Sequence, residues 1–523
     1  MSRAPLWVWI AFAGLCAWHL ALRRHGMNLP LIIDEGEYSY EARQWSAGGL
    51  PYRDAASPKP PMIFLAYRLA YAFSDTPEAP RAWFAALSLL IMGLLVIASP
   101  AAWSWPARLA PGAAFATLSA YPAGSLGFAA NTELLVAVFM TAAVFAILRS
   151  WSATKPVAWN FLAGAACGAA LMSKPTCLWS AVAFGSLAVW GAANRRLERF
   201  FWFTLGSALA PCAFAVYFAA HGSFGVFWDD VFRRNMDYAR AAASGGGLSS
   251  QASWLAHILL PLLIKGSWPF CALAAAGLPG ISVDRKHRFE TLVVVWLGTA
   301  LAGLMAGFLF FPHYFLQALP PFCLACGMGV ERLTKSRRSL GLGLVFAASL
   351  YPGLVFAGIY FRDPPEAVAK ELMFPNPLYE SYPIADYIRT HSEPSDAMYV
   401  FGSEPQLYVY AGRRAATEHI TILPLTMYPR PREGDEELAK IEASAPKFVV
   451  YSTQSGSTLV SSRLGERFRD GIRALLLKRY RFIGFSTVSS GFDQKPSLVP
   501  AAGPPDWADE SSLLLFELRE TRN

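Results

Sequence analysis

Long apolar runs separated by short polar segments recur through the first 360 positions of the chain and then stop. Each run is close to the roughly 17 to 25 residues that cross a bilayer as a helix. The runs lack the alternation of apolar and polar positions found in a membrane β-barrel, so we predict helices. The pattern predicts about 11 transmembrane helices, at residues 6–22, 82–100, 108–128, 132–148, 158–173, 176–193, 200–220, 261–281, 290–311, 314–331 and 339–360.

After residue 361 the long apolar runs give way to shorter segments in which apolar and polar residues are mixed. Residues 382–391, 434–444 and 465–480 have the spacing of amphipathic helices, whereas 397–402, 447–453 and 511–518 are β-branched or aromatic runs typical of strands. The chain therefore divides into a polytopic α-helical membrane domain, residues 1–361, and a C-terminal soluble α/β domain, residues 362–523.

A polar loop, residues 24–81, follows the first predicted span. Within it, 36–49 and 60–73 have amphipathic helical spacing, and both helices are predicted to lie flat at the membrane interface. The stretch between them, "LPYRDAASPK", is predicted to be an irregular connection because Pro and Gly flank it.

The charge distribution gives the orientation of the spans. The chain is 54% hydrophobic and only 16% charged, as expected for a lipid-embedded protein, and its net charge of +8 is concentrated in short loops of one side. The positive-inside rule places the N-terminus in the cytoplasm and the residue 24–81 loop and C-terminal domain outside the cytoplasmic (inner) membrane of a bacterium. The sequence outside the predicted spans has no stretch that combines clustered Lys and Arg with aromatic residues, which would indicate nucleic-acid binding. The inner connections contain Arg3, Arg108, Arg149, Lys155, Arg195, Arg196, Arg199, Arg285, Lys286, Arg288, Arg332, Lys335, Arg337 and Arg338.

Charged and polar side chains collect at the outer ends of the predicted spans. Taken singly, each fits a structural role: a carboxylate can cap a helix, a lysine can snorkel and a histidine can lie at the interface. Their shared position on one face suggests a site. The candidate catalytic residues are Asp34, Glu35 and Glu133, and the candidate substrate-binding residues are Tyr38, Tyr52, Arg53, Lys59, Arg81, Lys174, His313 and Tyr314.

Carboxylates and cations at a membrane rim suit the transfer of a sugar from a lipid phosphate. The phosphate leaves as a stable anion, so such a site requires one base and some cations, and no acid that protonates the leaving group. We predict that Asp34 takes the proton of the acceptor hydroxyl, that Lys59 stabilises the departing phosphate, and that the anomeric centre is inverted.

The loop "DEGEYSYEARQWSAGGLPYRDAASPKPP" resembles the first outer loop of GT-C membrane glycosyltransferases. The similarity is to the bacterial branch related to protein O-mannosyltransferases and to the lipid A aminoarabinose transferase (glycosyltransferase family 39-like). "NTELL" at residue 131 and "HYFLQALPPFCLACG" at residue 313 resemble later motifs of that family. The resemblance implies a polyprenyl-phosphate-sugar donor, a catalytic Asp34, a phosphate contact at Lys59 and a cavity beneath the soluble domain.

The chain also departs from that family pattern. The aminoarabinose branch has an acid before its Lys-Pro-Pro step, whereas this chain has Pro58, so the sequence neither requires nor excludes a divalent metal. The acceptor is a lipid, glycan or protein hydroxyl that the sequence does not identify. A polytopic transporter, or a protein that binds a lipid-linked sugar without transferring it, is the alternative interpretation; a transporter would place its polar residues near the bilayer midplane in related halves of the chain.

Overall fold

A computed structural model provides the structure of the chain. It describes residues 4–122, 127–192, 194–244, 253, 255–257, 260, 262–281, 283–305, 310–335, 338–374, 376–488 and 496–519. Most of the Gly-Ser stretch 244–250, parts of four predicted spans and the predicted inner-loop residues Arg3 and Arg337 lie outside these residues.

Helices form most of the first 361 residues. A helix lies within each of the eleven apolar runs, and two further helices lie in the loop after the first run. The α-helices of this part are α1 Leu6–Arg23, α2 Ile33–Ser46, α3 Met62–Tyr71, α4 Ala79–Ala98, α5 Trp105–Leu118, α6 Thr132–Ser150, α7 Pro156–Leu171, α8 Leu178–Trp190, α9 Arg196–Ala220, α10 Phe224–Trp228, α11 Asn235–Ser244, α12 Trp268–Gly277, α13 Arg288–Met305, α14 Leu319–Thr334 and α15 Arg338–Val355.

Short tighter or wider helical segments connect several of these helices. They are the 3₁₀ segments His25–Asn28, Pro175–Cys177 and Pro312–Ala318 and the π-helical segments Asp229–Arg234, Leu262–Gly266 and Gly358–Arg362. Within the described part of the chain, five helices are long and apolar enough to cross a membrane: Leu6–Asn28, Ala79–Ala98, Thr132–Ser150, Arg196–Ala220 and Arg288–Met305. The other predicted spans contain shorter helices.

Helix α2 differs from the predicted interfacial helix. It starts after the extended residue Ile32, whose backbone N–H donates to the Glu35 carboxylate at 3.2 Å, and it ends before Gly48, which has a φ of 95°. The helix is largely buried, because α3 packs on one side and the C-terminal domain on the other. Buried polar side chains usually have partners. Glu35 and Glu37 of this helix accept hydrogen bonds, whereas Oε1 of Glu41 is buried without a hydrogen-bond partner among the described residues.

The C-terminal domain is a mixed sheet with helices on both faces. Its six strands are β1 Ala397–Phe401, β2 Arg414–Ala415, β3 Phe448–Ser452, β4 Tyr480–Thr487, β5 Val499–Pro500 and β6 Ser512–Leu518, in the order β2-β1-β3-β6-β4-β5. Strand β1 is parallel to β2 and β3, and β6 is antiparallel to β3 and β4. The helices are α16 Pro365–Met373, α17 Ser381–Thr390, α18 Gln406–Ala411, α19 Leu423–Thr426, α20 Glu433–Ser444, α21 Ser455–Thr458 and α22 Arg463–Arg479.

Side chains of β1 point alternately to the two faces of the sheet and contribute to a hydrophobic core on each face. Met398 and Val400 face one hydrophobic cluster, and Tyr399 and Phe401 face the other. Both faces of the central strands are therefore covered, as is usual where strands run parallel.

The loop after α1 joins the two parts of the molecule. The Tyr40 ring packs 5.2 Å from that of Tyr408 and its hydroxyl accepts a hydrogen bond from the Ala415 backbone at 2.8 Å. The Ala56 N–H donates to the Glu418 carbonyl at 2.7 Å. The C-terminal domain therefore lies directly on the loop that contains the candidate residues.

Candidate active site

A cavity of about 380 Å³ lies where the loop after α1, the ends of several helices and the C-terminal domain meet. Chain segments from all over the sequence contribute to its wall. The lining residues are Ile32, Ile33, Asp34, Glu37, Pro58, Lys59, Pro60, Thr132, Ser173, Lys174, Pro175, Asn235, Tyr238, Phe311, Pro312, His313, Tyr314, Leu372, Met373, Asn376, Thr421, Leu423 and Tyr428.

Asp34 and Lys59 form an ion pair on this wall. The Asp34 Oδ1–Lys59 Nζ distance is 3.1 Å, and the two side chains are 22% and 29% exposed. Asp34 lies in the first turn of α2, and Lys59 lies between Pro58 and Pro60, whose rings fix the backbone on both sides. The Tyr52 hydroxyl donates to the Lys59 carbonyl at 2.8 Å and so holds the loop in place.

Opposite charges decide the protonation of this pair. Burial raises the pKa of the Asp34 carboxyl, but the charges of Lys59 and Lys174 and the Lys59 hydrogen bond together bring that pKa below its usual value. Burial lowers the pKa of Lys59, and the surrounding carboxylates outweigh it, so the pKa of Lys59 lies well above its usual value. Both groups are therefore charged at neutral pH.

A second ion pair joins Lys174, which lines the cavity, to Glu133, which is buried and is not a lining residue. Glu133 is in the first turn of α6, where its negative charge also suits the helix N-terminus, and the Thr132 hydroxyl donates to its Oε2 at 3.1 Å. Lys174 Nζ lies 3.3 Å from the centre of the Tyr314 ring. The ring and the carboxylate together hold the lysine at the cavity.

His313 lies between the two pairs. Its Nε2 is 3.9 Å from Asp34 Oδ2, and its ring stacks on Phe311 at 5.7 Å between centroids. Burial lowers the pKa of His313, although the charges of Glu133 and Asp34 oppose this shift. The imidazole is therefore neutral at pH 7, with one nitrogen free to accept and the other to donate.

Glu35 and Arg81, both predicted as site residues, lie outside the cavity. Arg81 donates from Nε to Glu35 Oε1 at 2.8 Å and also to the carbonyls of Gly26, Leu29 and Pro30, and each side chain is 1% exposed. With its donors all engaged, this pair connects the loop to α4 and has no atom facing a substrate. The predicted catalytic role of Glu35 and binding role of Arg81 do not fit this geometry, and we assign both a structural role.

Three other predicted binding residues also lie off the cavity wall. Arg53 is exposed and pairs with Asp54 at 2.7 Å. Tyr52 is buried with a left-handed φ of 69° and acts on Lys59 through its hydroxyl. Tyr38 lies behind Lys59, whose Nζ is 5.5 Å from its ring centre. Tyr38 and Tyr52 thus position Lys59, and Arg53 has no contact with the site.

Glu37 is a cavity residue that the sequence analysis missed. It is 5% exposed and accepts a hydrogen bond from Ser57 Oγ, and burial raises its pKa to about 7. Helical spacing could have identified Glu37. Residues three positions apart lie on the same face of a helix, so Glu37 shares a face with Asp34, whereas Glu35 points about 100° away from Asp34.

The remaining unpredicted wall comes from distant segments. Tyr238 of α11 and Tyr428 of the C-terminal domain contact each other with ring centroids 5.6 Å apart. Asn235 donates to the Pro58 carbonyl at 2.5 Å and fixes the approach to Lys59. No local pattern in the sequence brings these positions together.

Known structures resemble the whole chain. ArnT from Cupriavidus metallidurans bound to undecaprenyl phosphate superposes with a TM-score of 0.60 at 14% identity, over 99% of both chains. The archaeal oligosaccharyltransferase AglB from Archaeoglobus fulgidus, in complex with an inhibitory peptide and a dolichol-phosphate, gives 0.53 at 11% identity over 98% of this chain and 76% of AglB. The arabinofuranosyltransferase AftD from Mycobacteria gives 0.50 at 15% identity over 99% of this chain and 42% of AftD. This chain has the GT-C fold. No protein-family model and no curated protein sequence matches it.

The GT-C fold raises the question of a divalent metal at the cavity. The position before Lys59 is Pro58, which has no side-chain donor atom. Of the two carboxylates that line the cavity, Asp34 is paired with Lys59 and Glu37 accepts a hydrogen bond from Ser57 Oγ. Among the described residues, no three His, Cys, Asp or Glu ligand atoms gather at this cavity within metal-binding distance. The donor set therefore does not fit a divalent metal, and the permanent cations that line the cavity in the described chain are Lys59 and Lys174.

Proposed function

We propose that the protein transfers a sugar from a polyprenyl-phosphate-linked donor to a hydroxyl group of an envelope lipid, glycan or protein. The observation that supports this most is the convergence of Asp34, Lys59, Lys174 and His313 on one cavity, although they are up to 279 positions apart in the sequence. Displacement of a phosphate from a sugar carbon requires a base for the acceptor and positive charge for the leaving phosphate. Asp34 provides the base, and Lys59 and Lys174 provide the positive charge.

The lipid phosphate binds between the two lysines. Each lysine is already paired, so the phosphate exchanges places with a carboxylate. When Lys59 turns to the phosphate, Asp34 loses its strongest cationic neighbour and becomes a stronger base. Donor binding therefore prepares the proton acceptor.

The reaction is then a direct displacement. The acceptor oxygen forms a bond to the anomeric carbon, the bond from that carbon to the phosphate oxygen breaks, and the acceptor proton passes to Asp34. The electron pair of the broken bond leaves with the polyprenyl phosphate, whose charge Lys59 and Lys174 stabilise. One displacement inverts the anomeric configuration.

The other residues hold this arrangement. Glu133 orients Lys174, and the neutral His313 lies within reach of Asp34, where it can share the hydrogen bond that Lys59 gives up. An apolar part of the wall, Phe311, Leu372 and Met373, suits the first units of a polyprenyl chain. The donor class agrees with the lipid phosphates bound to ArnT and AglB.

Asp34→Asn and Lys59→Ala test this function. Purified protein is incubated with total lipid and envelope extracts of the native cell, and new glycan products are measured by mass spectrometry, with their anomeric configuration by NMR. Loss of a general base reduces transfer by about 10² to 10⁴-fold, and we expect Asp34→Asn in that range.

Exposed residues of the C-terminal domain provide matched controls. Asp386→Asn and Lys478→Ala remove the same charges far from the cavity and should leave transfer unchanged. Wild-type rates of transfer by both Asp34→Asn and Lys59→Ala would contradict the roles proposed for these two residues. A wild-type protein that binds undecaprenyl phosphate and yields no glycan product would favour the lipid-linked-sugar-binding alternative.

A further inference from the structure

A separate cavity, of about 550 Å³, lies in the C-terminal domain at the carboxyl end of β3. It shares no lining residue with the active-site cavity. Its wall includes two arginines, Arg469 and Arg473, two aromatic residues, Tyr451 and Trp507, and five serine or threonine residues. The volume is in the range of roughly 300 to 1,000 Å³ that is usual for small-molecule sites.

The order of the strands favours a ligand at this end of the sheet. Strand β1 has β2 on one side and β3 on the other, and the three strands are parallel. The chain after β1 continues into α18, whose Leu407 packs in the same cluster as Val400. The chain after β3 leads to α22, whose Phe468 packs in the cluster on the opposite face. Where the connections of two neighbouring parallel strands leave to opposite faces, their carboxyl ends form a crevice, and ligands of α/β sheets bind there.

The backbone around this crevice is held in place. The Ser403 N–H, after β1, donates to Ser457 Oγ at 2.9 Å, and the Ser403 hydroxyl donates to the Ser457 carbonyl at 2.6 Å. The connection after β1 is thus attached to α21, whose residues Ser455 and Thr458 line the cavity. Leu459, which follows α21 and also lines the cavity, has a left-handed φ of 39°. Backbone strain of this kind is found most often at functional sites.

Arg473 is fixed by aromatic rings and keeps donors in reserve. Its Nε donates to the Tyr451 hydroxyl at 2.8 Å, and its guanidinium carbon lies 5.4 Å from the centre of the Tyr451 ring and 5.0 Å from that of Trp507. The Tyr451 ring stacks on Phe401 and the Trp507 ring on Phe516, so both rings are themselves supported. The Nη groups of Arg473 donate no hydrogen bond to a described residue. A guanidinium held in this way is pre-organised for a carboxylate or a phosphate.

Further donors without a protein acceptor line the cavity. The other arginine, Arg469, lies one turn earlier on α22; its Nε pairs with Asp470 at 2.9 Å, and its Nη groups have no partner within the described chain. The indole N–H of Trp507 and the hydroxyl of Ser455 also lack an acceptor among the residues that the structure describes. Of the described lining residues, Glu510 alone has a carboxylate, and it is exposed. A cavity with two cations and several free donors favours an anionic ligand.

We propose that this cavity binds an anionic saccharide, whose phosphate or carboxylate group pairs with Arg473 and Arg469 and whose hydroxyl groups pair with the serine and threonine side chains of the wall. Hydroxyl side chains both donate and accept, as sugar hydroxyls do, so the two sets are complementary.

The choice of a saccharide among small anions rests on the proposed function. Met427 lines this cavity and the next residue, Tyr428, lines the active-site cavity, so the two cavities approach each other at this segment. A charged unit of an acceptor glycan would therefore be held close to the active site. The binding of an anion by the two arginines does not depend on sugar transfer.

Glucuronate and glucose 6-phosphate are the probes, because they carry the two anionic groups on the same sugar. Glucose is the neutral control, and inorganic phosphate is the control without a sugar. Binding to the full-length protein in detergent is measured by isothermal titration calorimetry. We expect at least one anionic sugar to bind about tenfold or more tightly than glucose, as charge-assisted hydrogen bonds provide. The anionic sugar that binds more tightly identifies the anionic group.

Arg473→Gln and Arg469→Gln should each lower the affinity for that sugar about tenfold or more. Arg469 is partly exposed and makes none of the aromatic contacts of Arg473, so Arg469→Gln tests the site even if Arg473→Gln is unstable. Arg467→Gln is the matched control, because Arg467 is an exposed arginine of the same helix that pairs with Asp435 outside the cavity. It should retain the wild-type affinity.

Lys59→Ala separates this inference from the proposed function. It disables the proposed active site and should bind the anionic sugar as the wild type does. The inference is overturned if neither anionic sugar binds, if glucose or inorganic phosphate binds as tightly as the anionic sugar, if Lys59→Ala abolishes the binding, or if both arginine variants retain the wild-type affinity.

Discussion

Asp34 and Glu35 are neighbours in the sequence and differ completely in environment. Successive helical positions point about 100° apart, so Asp34 faces the cavity while Glu35 faces the protein interior and Arg81. The sequence motif identified the acidic pair without separating the two roles. The different roles of the two carboxylates depend on which face of α2 packs against α4. That packing is decided by the complete fold and not by the local sequence.

Breaking the Glu35–Arg81 pair should destabilise the protein. Glu35→Gln leaves a fully buried guanidinium without its counter-charge, which costs about 3 to 5 kcal/mol for a buried ion pair. We expect a clear fall in the unfolding temperature followed by tryptophan fluorescence. Glu393→Gln, an exposed carboxyl, is the control. Equal unfolding temperatures for the two variants would contradict the structural role.

Glu37 should make stability depend on pH. Its pKa of about 7 lies above that of an unfolded glutamate, so the folded protein binds the extra proton between about pH 4.5 and 7. Stability is therefore lost as pH rises through that window, by about 3 kcal/mol from this group. Unfolding temperatures at pH 5 and pH 8 should differ less in Glu37→Gln than in the wild type. The same pH dependence in both proteins would contradict the assignment.

The elements differ in how well sequence patterns predict them. Each apolar run contains a helix, and the predicted β1, β3 and β6 lie where alternation and β-branched residues indicated strands. Strand β4 was missed because it follows α22 directly, with no Gly or Pro to mark the boundary. The burial of α2 was also missed, since its many polar residues resemble an exposed helix until their partners are known.

Gly36 should be essential for the contact between α2 and the C-terminal domain. A Cβ atom there would lie 2.5 Å from the backbone nitrogen of Gln406, so Gly36→Ala must push the two elements apart. We expect a destabilisation of about 1 to 3 kcal/mol, as for overpacking, measured as a lower unfolding temperature. Gly225→Ala, a helical glycine with open space around it, is the control. Similar unfolding temperatures for the two variants would contradict this contact.

At the scale of the whole molecule, the sequence indicated a GT-C fold and a cavity under a soluble domain. It did so because the loop motif between residues 34 and 61 is local and specific. The roof of the cavity was not predictable in the same way. Tyr238 and Tyr428 are 190 positions apart, and only the packing of the complete chain brings their rings together.

The orientation in the membrane is a prediction that labelling can test. The positive-inside rule places the C-terminal domain outside the cytoplasm. A cysteine introduced at the exposed Glu393 should react with a membrane-impermeant maleimide in spheroplasts, above the background of the parent chain. A cysteine at exposed Lys155, in a predicted inner loop, should react only after lysis. Reaction of Lys155→Cys before lysis would contradict the predicted topology.

The prolines on either side of Lys59 bear on the proposed binding of a lipid phosphate. Because rings fix the φ angles of both neighbours, the backbone that carries Lys59 has little conformational entropy to lose when a phosphate binds. Replacing Pro58 and Pro60, whose rings also line the cavity, by alanine would free the backbone on both sides of Lys59 and weaken the proposed binding of a lipid phosphate. Rigidity in this short stretch is thus itself a source of affinity.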